Sequence, residues 1–369
     1  MKKYQFMLLL LLSCSGTTFA QDGPFVTYAG GQVLVTLIKY QYGFLQAQTS
    51  SYAYKAGLTL PVIPQGHPEW SFSVKLRDTL TNDPVSYAIR GKCLFISDIE
   101  GEFANFRKLL LAAGVINQTY EWTYGTGSLI IPGDLFDRGT DVVPELWLLY
   151  KLEDEAKAAG GSCQVILGNH DIMNLSGDHR YTDAKYFKEA WLLGTDINGL
   201  FGKDTELGRW LRSKNVIEKC GDVLVMHGGM SPAILQKSYS LEQLNDLTRP
   251  WYDAAWKSIP DSLQLLFGND ALFWYRGYFM GQKATMGEID NTLRQYNCKY
   301  ILVGHTIVKW NIASYYGGKV IGIDVDEHTN HTEGALLENN KWYTIDADGK
   351  IEPLIYDPAN DNVSEKDIE

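Results

Sequence analysis

The sequence predicts an α/β protein in which layered sheets and helices follow a β-rich N-terminal region. Two patterns support this prediction. From residue 92 to about residue 327, short runs that are apolar throughout alternate with longer amphipathic stretches, as is typical of buried strands packed against helices. Between residues 21 and 90, alternation such as Trp70, Phe72 and Val74 indicates half-buried strands instead.

Six strands and two helices can be placed in order along the central region. The apolar runs predict strands at 93–97, 128–132, 164–167, 223–226, 300–303 and 320–323. Amphipathic stretches predict helices at 102–113 and 142–159. After residue 330, the turn pairs Asn339-Asn340 and Asp348-Gly349 predict β-hairpins, and a polar tail follows them. The predicted organisation is a leader at 1–20, a β-rich region at 21–91, a central domain at 92–330, and C-terminal hairpins with a tail at 331–369.

The leader is predicted to be a secretory signal peptide. A positively charged start precedes the apolar run 6–12, and the small residues Thr18 and Ala20 stand at positions −3 and −1 before Gln21. We therefore expect an exported protein, periplasmic or secreted, whose mature chain begins at Gln21. The apolar run is too short to span a bilayer, so no transmembrane span is expected in the mature chain. A lipid-anchored form attached through Cys14 is the alternative.

Charge and cysteine content narrow the class of protein. The chain is 45% apolar, which excludes a disordered protein, and its net charge of -11 argues against a general nucleic-acid binder. No nucleic-acid partner is therefore predicted. The cysteines after the leader each open a strand-like apolar run and form no CxxC pair, which favours buried thiols; they are Cys93, Cys163, Cys220 and Cys298. Export would also permit disulfides among them, and the sequence does not give their connectivity.

Polar side chains follow five of the predicted strands, each at the point where the strand ends. Because ligands bind outside the carboxyl ends of strands in open α/β sheets, we expect these five loops to converge on one site. Their carboxylates, amide oxygen and imidazoles, with no thiolate, suit divalent Mn, Fe or Zn. Two such ions bridged by a carboxylate can activate water for in-line phosphoryl displacement. The candidate ligands are Asp98, Glu100, Asp134, Asn169, His227 and His305.

Two arginines are candidates for binding the phosphate oxygens, because a guanidinium can donate two parallel hydrogen bonds. Arg138 lies in the second loop, and Arg276 lies in an aromatic segment. Each has an alternative reading, Arg138 as an ion-pair partner of Asp137 and Arg276 as a stacking group. Most aromatic side chains between residues 251 and 279 are expected in the core, and a minority could wall the pocket around an aromatic leaving group.

Taken in order, the five motifs resemble those of the calcineurin-like metallophosphoesterase superfamily. They are DxE at 98–100, GDxxDRG at 133–139, GNHD at 168–171, HGG at 227–229 and GHT at 304–306. The joint occurrence of GDxxDRG and GNHD is similar to the phosphoprotein-phosphatase branch, and the segments 174–181 and 274–277 resemble those of bacterial Shewanella-like protein phosphatases. The likeness covers residues 92–327. It implies a β-sandwich flanked by helices, with the β-rich N-terminal region as an extension.

The resemblance also implies a role for each site residue. One divalent ion would lie among Asp98, Asp134 and His305, and the other among Asp134, Asn169 and His227, so Asp134 would bridge them. His170 would be the general acid that protonates the leaving-group oxygen, and Asp137 would orient its imidazole. The groups that would hold the phosphate are Arg138, Arg276 and Asn169.

One position departs from the family pattern, because Glu100 stands where a histidine is usual. Asp98 and Glu100 are two residues apart at a strand end and project to the same side, so Glu100 can still be a metal ligand. The other reading is an outer-shell base. A carboxylate in place of an imidazole hardens the site, which favours Mn or Fe while Zn remains possible. Asp171 replaces the family's glutamate and is expected to cap a helix or to support the ligands.

Four further histidines have no metal-ligand motif and are expected at the surface or in loops. They are His67, His179, His328 and His331.

The sequence therefore predicts a binuclear metal-dependent phosphatase that hydrolyses phosphomonoesters by in-line attack of a metal-bridging hydroxide. Phosphoproteins or phosphotyrosine-like substrates are favoured. One alternative is a phosphodiesterase, nucleotidase or dinucleoside polyphosphate hydrolase on the same scaffold. The other is a non-catalytic sensor that binds phosphate.

Overall fold

The computed structural model describes residues 20–41, 43–53, 57–329 and 331–368. Residues 1–19 of the predicted signal peptide, including Cys14, lie outside the described residues. Within these ranges, no helix combines the length and the apolar character needed to cross a membrane.

The N-terminal region is rich in β-structure, as predicted. Strands β1 (Ala20–Ala29), β2 (Gln32–Gln41) and β3 (Phe44–Ala53) form an antiparallel three-stranded sheet. Strands β4 (Thr59–Val62) and β5 (Phe72–Lys75) form an antiparallel pair. In β5, Phe72 and Val74 are buried while the residues between and after them are exposed, so the predicted alternation is confirmed.

The remaining strands build a larger body. They are β6 (Ser86–Tyr87), β7 (Cys93–Phe95), β8 (Ser128–Ile131), β9 (Ser162–Val165), β10 (Ile217–Cys220), β11 (Val223–Met226), β12 (Tyr300–Val303), β13 (Ala313–Tyr315), β14 (Val320–Gly322), β15 (Glu333–Glu338), β16 (Lys341–Asp346) and β17 (Ile351–Pro353). The helices are α1 (Phe103–Ala112), α2 (Val142–Ala158), α3 (Asn169–Ser176), α4 (Ala184–Leu192), α5 (Ile197–Leu200), α6 (Glu206–Leu211), α7 (Pro232–Leu235), α8 (Leu241–Thr248) and α9 (Met286–Tyr296). All six predicted strands and both predicted helices are present, with ends displaced by at most two residues.

Two six-stranded sheets face each other as a sandwich. Their strand orders are β13-β14-β12-β11-β10-β6 and β17-β16-β15-β7-β8-β9. Side chains from both sheets share one core cluster, which includes Phe95 and Ile130 from one sheet and Val223 and Leu302 from the other. Strand β6 of the N-terminal region and strands β15 to β17 of the C-terminal region complete these sheets, so both flanking regions contribute to the sandwich.

The centre of each sheet is parallel, and this arrangement positions the site. Strands β7, β8 and β9 run parallel in one sheet, and β11, β12 and β14 run parallel in the other. Parallel neighbours end at the same edge of a sheet, so the loops that follow them are brought together.

Helix α2 is buried along most of its length, with Trp147 and Tyr150 fully inaccessible to solvent.

The four cysteines after the leader are free thiols. Cys93, Cys163 and Cys220 are buried and Cys298 is half-buried, which agrees with the predicted buried thiols. The sulfur atoms of Cys93 and Cys220 lie 4.0 Å apart across the two sheets.

Candidate active site

The five predicted loops converge on one cavity at the carboxyl ends of the parallel strands. The cavity has a volume of about 410 Å³ and is lined by Asp98, Glu100, Asp134, Arg138, His170, Arg276, His305, Ile307, Asp324, Asp326 and His328. Asn169 and His227 are buried directly behind it and contact its lining, since the Nε2 atom of His227 lies 3.0 Å from an oxygen of Asp134 and 3.0 Å from the amide oxygen of Asn169.

The backbone turns sharply where the ligand candidates stand. Asp98, Glu100, Asp134 and His305 all have left-handed backbone angles, with φ between 48° and 66°. Such angles are costly for residues with a side chain and cluster at functional sites. Glycine is required beside them: a Cβ atom on Gly168 would lie 2.1 Å from a carboxylate oxygen of Asp134. The backbone turns and the absence of a Cβ at Gly168 therefore let these side chains lie close together.

One group of metal-capable atoms comes from Asp134, His227 and His305, whose ligand atoms all lie within 4.8 Å of one another. His227 donates from Nδ1 to the carbonyl of Pro132 at 2.9 Å, which leaves Nε2 to face the cavity. His305 contacts the carbonyl of Trp274 through Nε2 at 3.2 Å, which leaves Nδ1 for a ligand. Outer partners of this kind fix the ring orientation of metal-binding histidines.

The expected grouping of His305 with Asp98 and Asp134 stays a prediction. The ligand atoms of Asp134 and His305 share a group with that of His227. Asp98 lies beside them, because it accepts a hydrogen bond from the backbone N–H of His305, with the nitrogen 3.2 Å from Oδ2.

A second group comes from Glu100, Asp134 and His170, again within 4.8 Å of one another. Asp134 therefore belongs to both groups and lies between them. Its Oδ2 atom is 3.0 Å from Nε2 of His227 and 3.9 Å from Nε2 of His170. This position corresponds to that of a bridging carboxylate.

The imidazole of His170 is held in one orientation by a hydrogen-bond partner on the side away from the cavity, as a general acid requires. Its Nδ1 atom lies 2.7 Å from Oδ2 of Asp137, and the other oxygen of Asp137 accepts hydrogen bonds from Asn174 and Thr182. Nε2 therefore faces the cavity. Although burial lowers it, the charge of Asp134 and the hydrogen bond to Asp137 raise the pKa of His170 to about 9. The imidazole thus carries a proton near neutral pH.

The carboxylates of the site are packed against one another. Burial, together with the charges of Asp134 and Glu100, raises the pKa of Asp98 to about 6. Burial and the charge of Asp98 raise the pKa of Asp324 well above its ordinary value. A buried cluster of like charges is stabilised by added positive charge, which divalent ions provide. The oxygen and imidazole donors and this excess of negative charge both fit divalent metal ions.

The two arginines lie on the cavity wall. Arg276 donates to the hydroxyl of Thr306 at 3.3 Å. Arg138 donates from Nη1 to Oε2 of Glu100 at 2.6 Å, and its side chain is 47% exposed. Its carboxylate partner is therefore Glu100, and the alternative pairing with Asp137 is wrong: Asp137 is hydrogen-bonded to His170.

Asp171 caps helix α3, as expected. Its carboxylate accepts hydrogen bonds from the backbone N–H groups of Gly168, Leu135 and Asp134, at 2.7, 2.9 and 3.1 Å. One side chain therefore ties the loop of Asp134 to the start of the helix that carries Asn169 and His170.

Sequence reasoning missed three residues of the cavity, namely Asp324, Asp326 and His328. His328 was expected at the surface or in a loop without a metal-ligand motif, and its position in the cavity was not predicted. It is in a short helical turn at Glu327–Thr329, and its Nε2 atom is 2.8 Å from Oε2 of Glu100. A signal was available, because these residues follow the sixth predicted strand just as the other ligands follow the first five.

Most aromatic side chains between residues 251 and 279 pack in the core, as expected. Trp274 is an exception, because its indole meets the ring of His305 edge-on at 5.8 Å. Together with Trp256, Phe273, Ile172 and other residues, it lines a second cavity of about 340 Å³ next to helix α3.

Comparisons with known proteins agree with this architecture. The family model for calcineurin-like phosphoesterase matches residues 91–309. An uncharacterised protein of Schizosaccharomyces pombe is 31% identical over 240 residues, covering 62% of this chain and 71% of that protein. Shewanella-like protein phosphatase 2 of Arabidopsis thaliana is 26% identical over 275 residues, covering 62% and 70%.

Among solved structures, the cold-active protein-tyrosine phosphatase of a psychrophilic Shewanella species superimposes with a TM-score of 0.80 at 34% identity. The match covers 90% of this chain and 99% of that one. The chain therefore belongs to the calcineurin-like phosphoesterase family and is a metal-dependent phosphatase.

Proposed function

We propose that the protein hydrolyses phosphomonoesters at a binuclear metal centre, with phosphotyrosine peptides or proteins as the favoured substrates. The observation that carries this proposal is the position of Asp134, whose carboxylate lies within 4.8 Å of ligand atoms of His227 and His305 on one side and of Glu100 on the other. A carboxylate shared between two ions is the arrangement used for in-line phosphoryl displacement.

Each group of site residues would have a different role in the reaction. Bound divalent ions would activate water and neutralise charge on the phosphate. Asp98, Glu100, Asp134, Asn169, His227 and His305 would hold the ions. Arg138 and Arg276, which also line the cavity, would bind the phosphate oxygens. His170 would give its Nε2 proton to the departing oxygen, while Asp137 keeps the imidazole in the orientation for that transfer.

Two observations support an aromatic phosphomonoester. The Shewanella structure, which matches over nearly its whole length, is named a protein-tyrosine phosphatase. In addition, the cavity next to helix α3 presents Phe273 and Trp274 close to the proposed phosphate site. An apolar wall of this kind favours an aryl over an alkyl leaving group.

Hydrolysis of para-nitrophenyl phosphate tests the proposal. The protein should turn over this monoester when Mn²⁺ or Fe²⁺ is added, and should hydrolyse bis(para-nitrophenyl) phosphate far more slowly. A phosphotyrosine peptide should be preferred to the same peptide with phosphoserine. Faster hydrolysis of the diester would favour the diesterase alternative, and bound metal without any turnover would favour the phosphate sensor.

Mn²⁺ and Fe²⁺ are proposed as the activating ions because Glu100 adds a hard oxygen donor to the site. Metal competition with purified apoprotein measures this directly. Activation by Zn²⁺ alone would contradict it.

We also propose that the protein is exported, on the basis of the leader pattern before Gln21. The intact mass of the protein recovered from its own host distinguishes the alternatives. A chain that starts at Gln21 supports a signal peptide, and a lipidated chain that retains Cys14 supports the anchored form.

A further inference from the structure

His328 bridges two carboxylates at the edge of the active-site cavity. Its Nε2 atom lies 2.8 Å from Oε2 of Glu100, and its Nδ1 atom lies 2.9 Å from Oε1 of Glu102. Both ring nitrogens thus lie within hydrogen-bond distance of carboxylate oxygens, so the ring is held between two side chains. The side chain is only 26% exposed, so water replaces little of this contact.

The turn that carries His328 is fixed in place by contacts outside the cavity. The side-chain amide of Asn105 donates to the carbonyl of Glu327 at 2.8 Å, and Thr332 donates to the carboxylate of Glu327 at 2.7 Å. The backbone N–H of His328 donates to Asp326 at 3.1 Å. The imidazole is therefore presented to Glu100 from a turn that is held against helix α1 by Asn105.

Glu100 has two side-chain partners on the same oxygen. Arg138 donates to Oε2 at 2.6 Å, and His328 lies 2.8 Å from that atom. The other oxygen, Oε1, faces the metal-capable group and is 3.8 Å from Nε2 of His170. Of the two side chains on Oε2, Arg138 alone would remain without His328.

We propose that His328 is a positioning residue that holds Glu100 and thereby leaves Arg138 free to bind the substrate phosphate. The inference rests on the proposed function, because it takes Arg138 to be a phosphate-binding group. An arginine locked onto a buried carboxylate has few donors left for phosphate oxygens. With His328 on the same carboxylate oxygen, Arg138 can turn toward the substrate without leaving Glu100 unpaired.

The His328→Gln variant tests this inference, because glutamine keeps one hydrogen-bond donor but lacks the ring that spans the two carboxylates. The KM for para-nitrophenyl phosphate should rise about tenfold while kcat stays within about threefold, since a charge-assisted contact in the bound state is weakened. The Kd of inorganic phosphate for the Mn²⁺-loaded protein, measured by calorimetry, should rise by about the same factor. The Mn²⁺ content, measured by mass spectrometry of the metal, should be unchanged.

His331→Gln is the matched control. His331 is in the same loop, is 40% exposed, and has its nearest carboxylate, that of Glu333, at 3.7 Å and away from the cavity. It should leave KM and the Kd of phosphate unchanged. Glu102→Gln provides a second variant, which removes the acceptor on Nδ1 and should weaken phosphate binding in the same direction but by less. It keeps the inference testable if His328→Gln does not fold.

A double-mutant cycle with Arg138→Gln tests the route of the effect. Because His328 acts through Arg138, its replacement should change KM by less than about twofold in the Arg138→Gln background. Full additivity, or unchanged KM and phosphate Kd in His328→Gln, would overturn the inference. Absence of turnover in the wild type would contradict the proposed function instead, while phosphate binding by calorimetry would still report on His328.

Discussion

Acidic side chains cluster inside the fold and again at the active site, and the surroundings of these two clusters differ. Inside the fold, Lys214 is 1% exposed and its ammonium lies 2.6 Å from Glu153 and 2.8 Å from Asp83. Arg77 adds a second cation, 2.7 Å from the other oxygen of Glu153. At the active site, Asp98, Glu100, Asp134 and Asp324 line one cavity, and the fixed cations Arg138 and Arg276 are fewer than the acids.

The difference distinguishes carboxylates that stabilise the fold from carboxylates that are available to bind ions. In the interior cluster each carboxylate has a cation within hydrogen-bonding distance, so the cluster is complete as folded. In the cavity, burial together with the charges of Asp134 and Glu100 raises the pKa of Asp98 to about 6, and burial with the charge of Asp98 raises the pKa of Asp324. Buried carboxylates without enough cations are unfavourable in a folded protein, and bound divalent ions would compensate their charge. Each region therefore predicts a different response to mutation.

The largest expected effect is on activity at the site. Asp134→Asn should lower kcat/KM by about 1,000-fold or more, because it removes the carboxylate common to both metal-capable groups. Steady-state hydrolysis of para-nitrophenyl phosphate in saturating Mn²⁺ measures it. Asn keeps the acceptor for the backbone N–H of His170, so circular dichroism should match the wild type. Near-normal turnover would show that this carboxylate is structural, like those of the interior.

In the interior cluster the expected effect is on stability instead. Lys214→Met leaves Glu153 and Asp83 without their shared cation and should lower the free energy of unfolding by about 3–5 kcal/mol. Urea denaturation measures this loss, and kcat should be unchanged at temperatures where the variant is folded. Lys299→Met is the matched control, because its 2.6 Å ion pair with Asp222 is at the surface and its side chain is 68% exposed. Removing that pair should lower the free energy of unfolding far less, because surface ion pairs contribute little to stability. Equal losses in the two variants would contradict the distinction.

Metal ions should stabilise the site region and leave the interior cluster unaffected. Mn²⁺ at 100 times its Kd should raise the free energy of unfolding by about 2.7 kcal/mol, because the ions bind the native state. Calorimetric melting with and without a chelator measures the shift. In Asp98→Asn the shift should be smaller, since this variant has one fewer candidate ligand. A wild-type melting temperature that does not respond to any divalent ion would contradict the assignment of the cluster as a metal site.

The same comparison explains what the sequence could predict. The strands and the five loops follow from local pattern, and these loops meet because their strands are parallel neighbours. Asp324 and His328 were missed because they carry no motif, and the sequence does not reveal that β14 lies beside β12, parallel to it. Knowledge of that pairing would have placed the end of β14 at the same edge as the other ligands.

The sequence also did not predict which partners the side chains of a single motif would have. Asp137 and Arg138 are adjacent, and both have positive φ angles, 81° and 53°. The chain turns so sharply there that the two side chains have different partners, Asp137 with His170 and Arg138 with Glu100. Adjacency in sequence suggested an ion pair that the backbone does not allow.

The smallest expected effect is on the pH dependence of stability, and it concerns a buried acid whose partners are hydrogen-bond donors. Glu218 in β10 has no cation partner, and it is hydrogen-bonded to Tyr87 and Asn215, both at 2.8 Å. Burial, followed by the charge of Asp83, raises its pKa to about 8, so the folded protein keeps the proton near neutral pH while the unfolded chain loses it above about pH 4.5. The native state then binds more protons than the unfolded state, and stability falls as pH rises from about 4.5 to about 8.

Glu218→Gln removes this pH dependence, because the amide is neutral throughout. Between pH 6 and pH 7 the wild type should lose roughly 1.4 kcal/mol of unfolding free energy relative to the variant. Urea denaturation at the two pH values measures the difference. An equal loss in both proteins would mean that Glu218 is ionised in the folded state. Hydrogen bonds without a cation would then be enough to stabilise a buried carboxylate. The presence of cation partners, as at Glu153, would no longer distinguish the interior cluster from the active site.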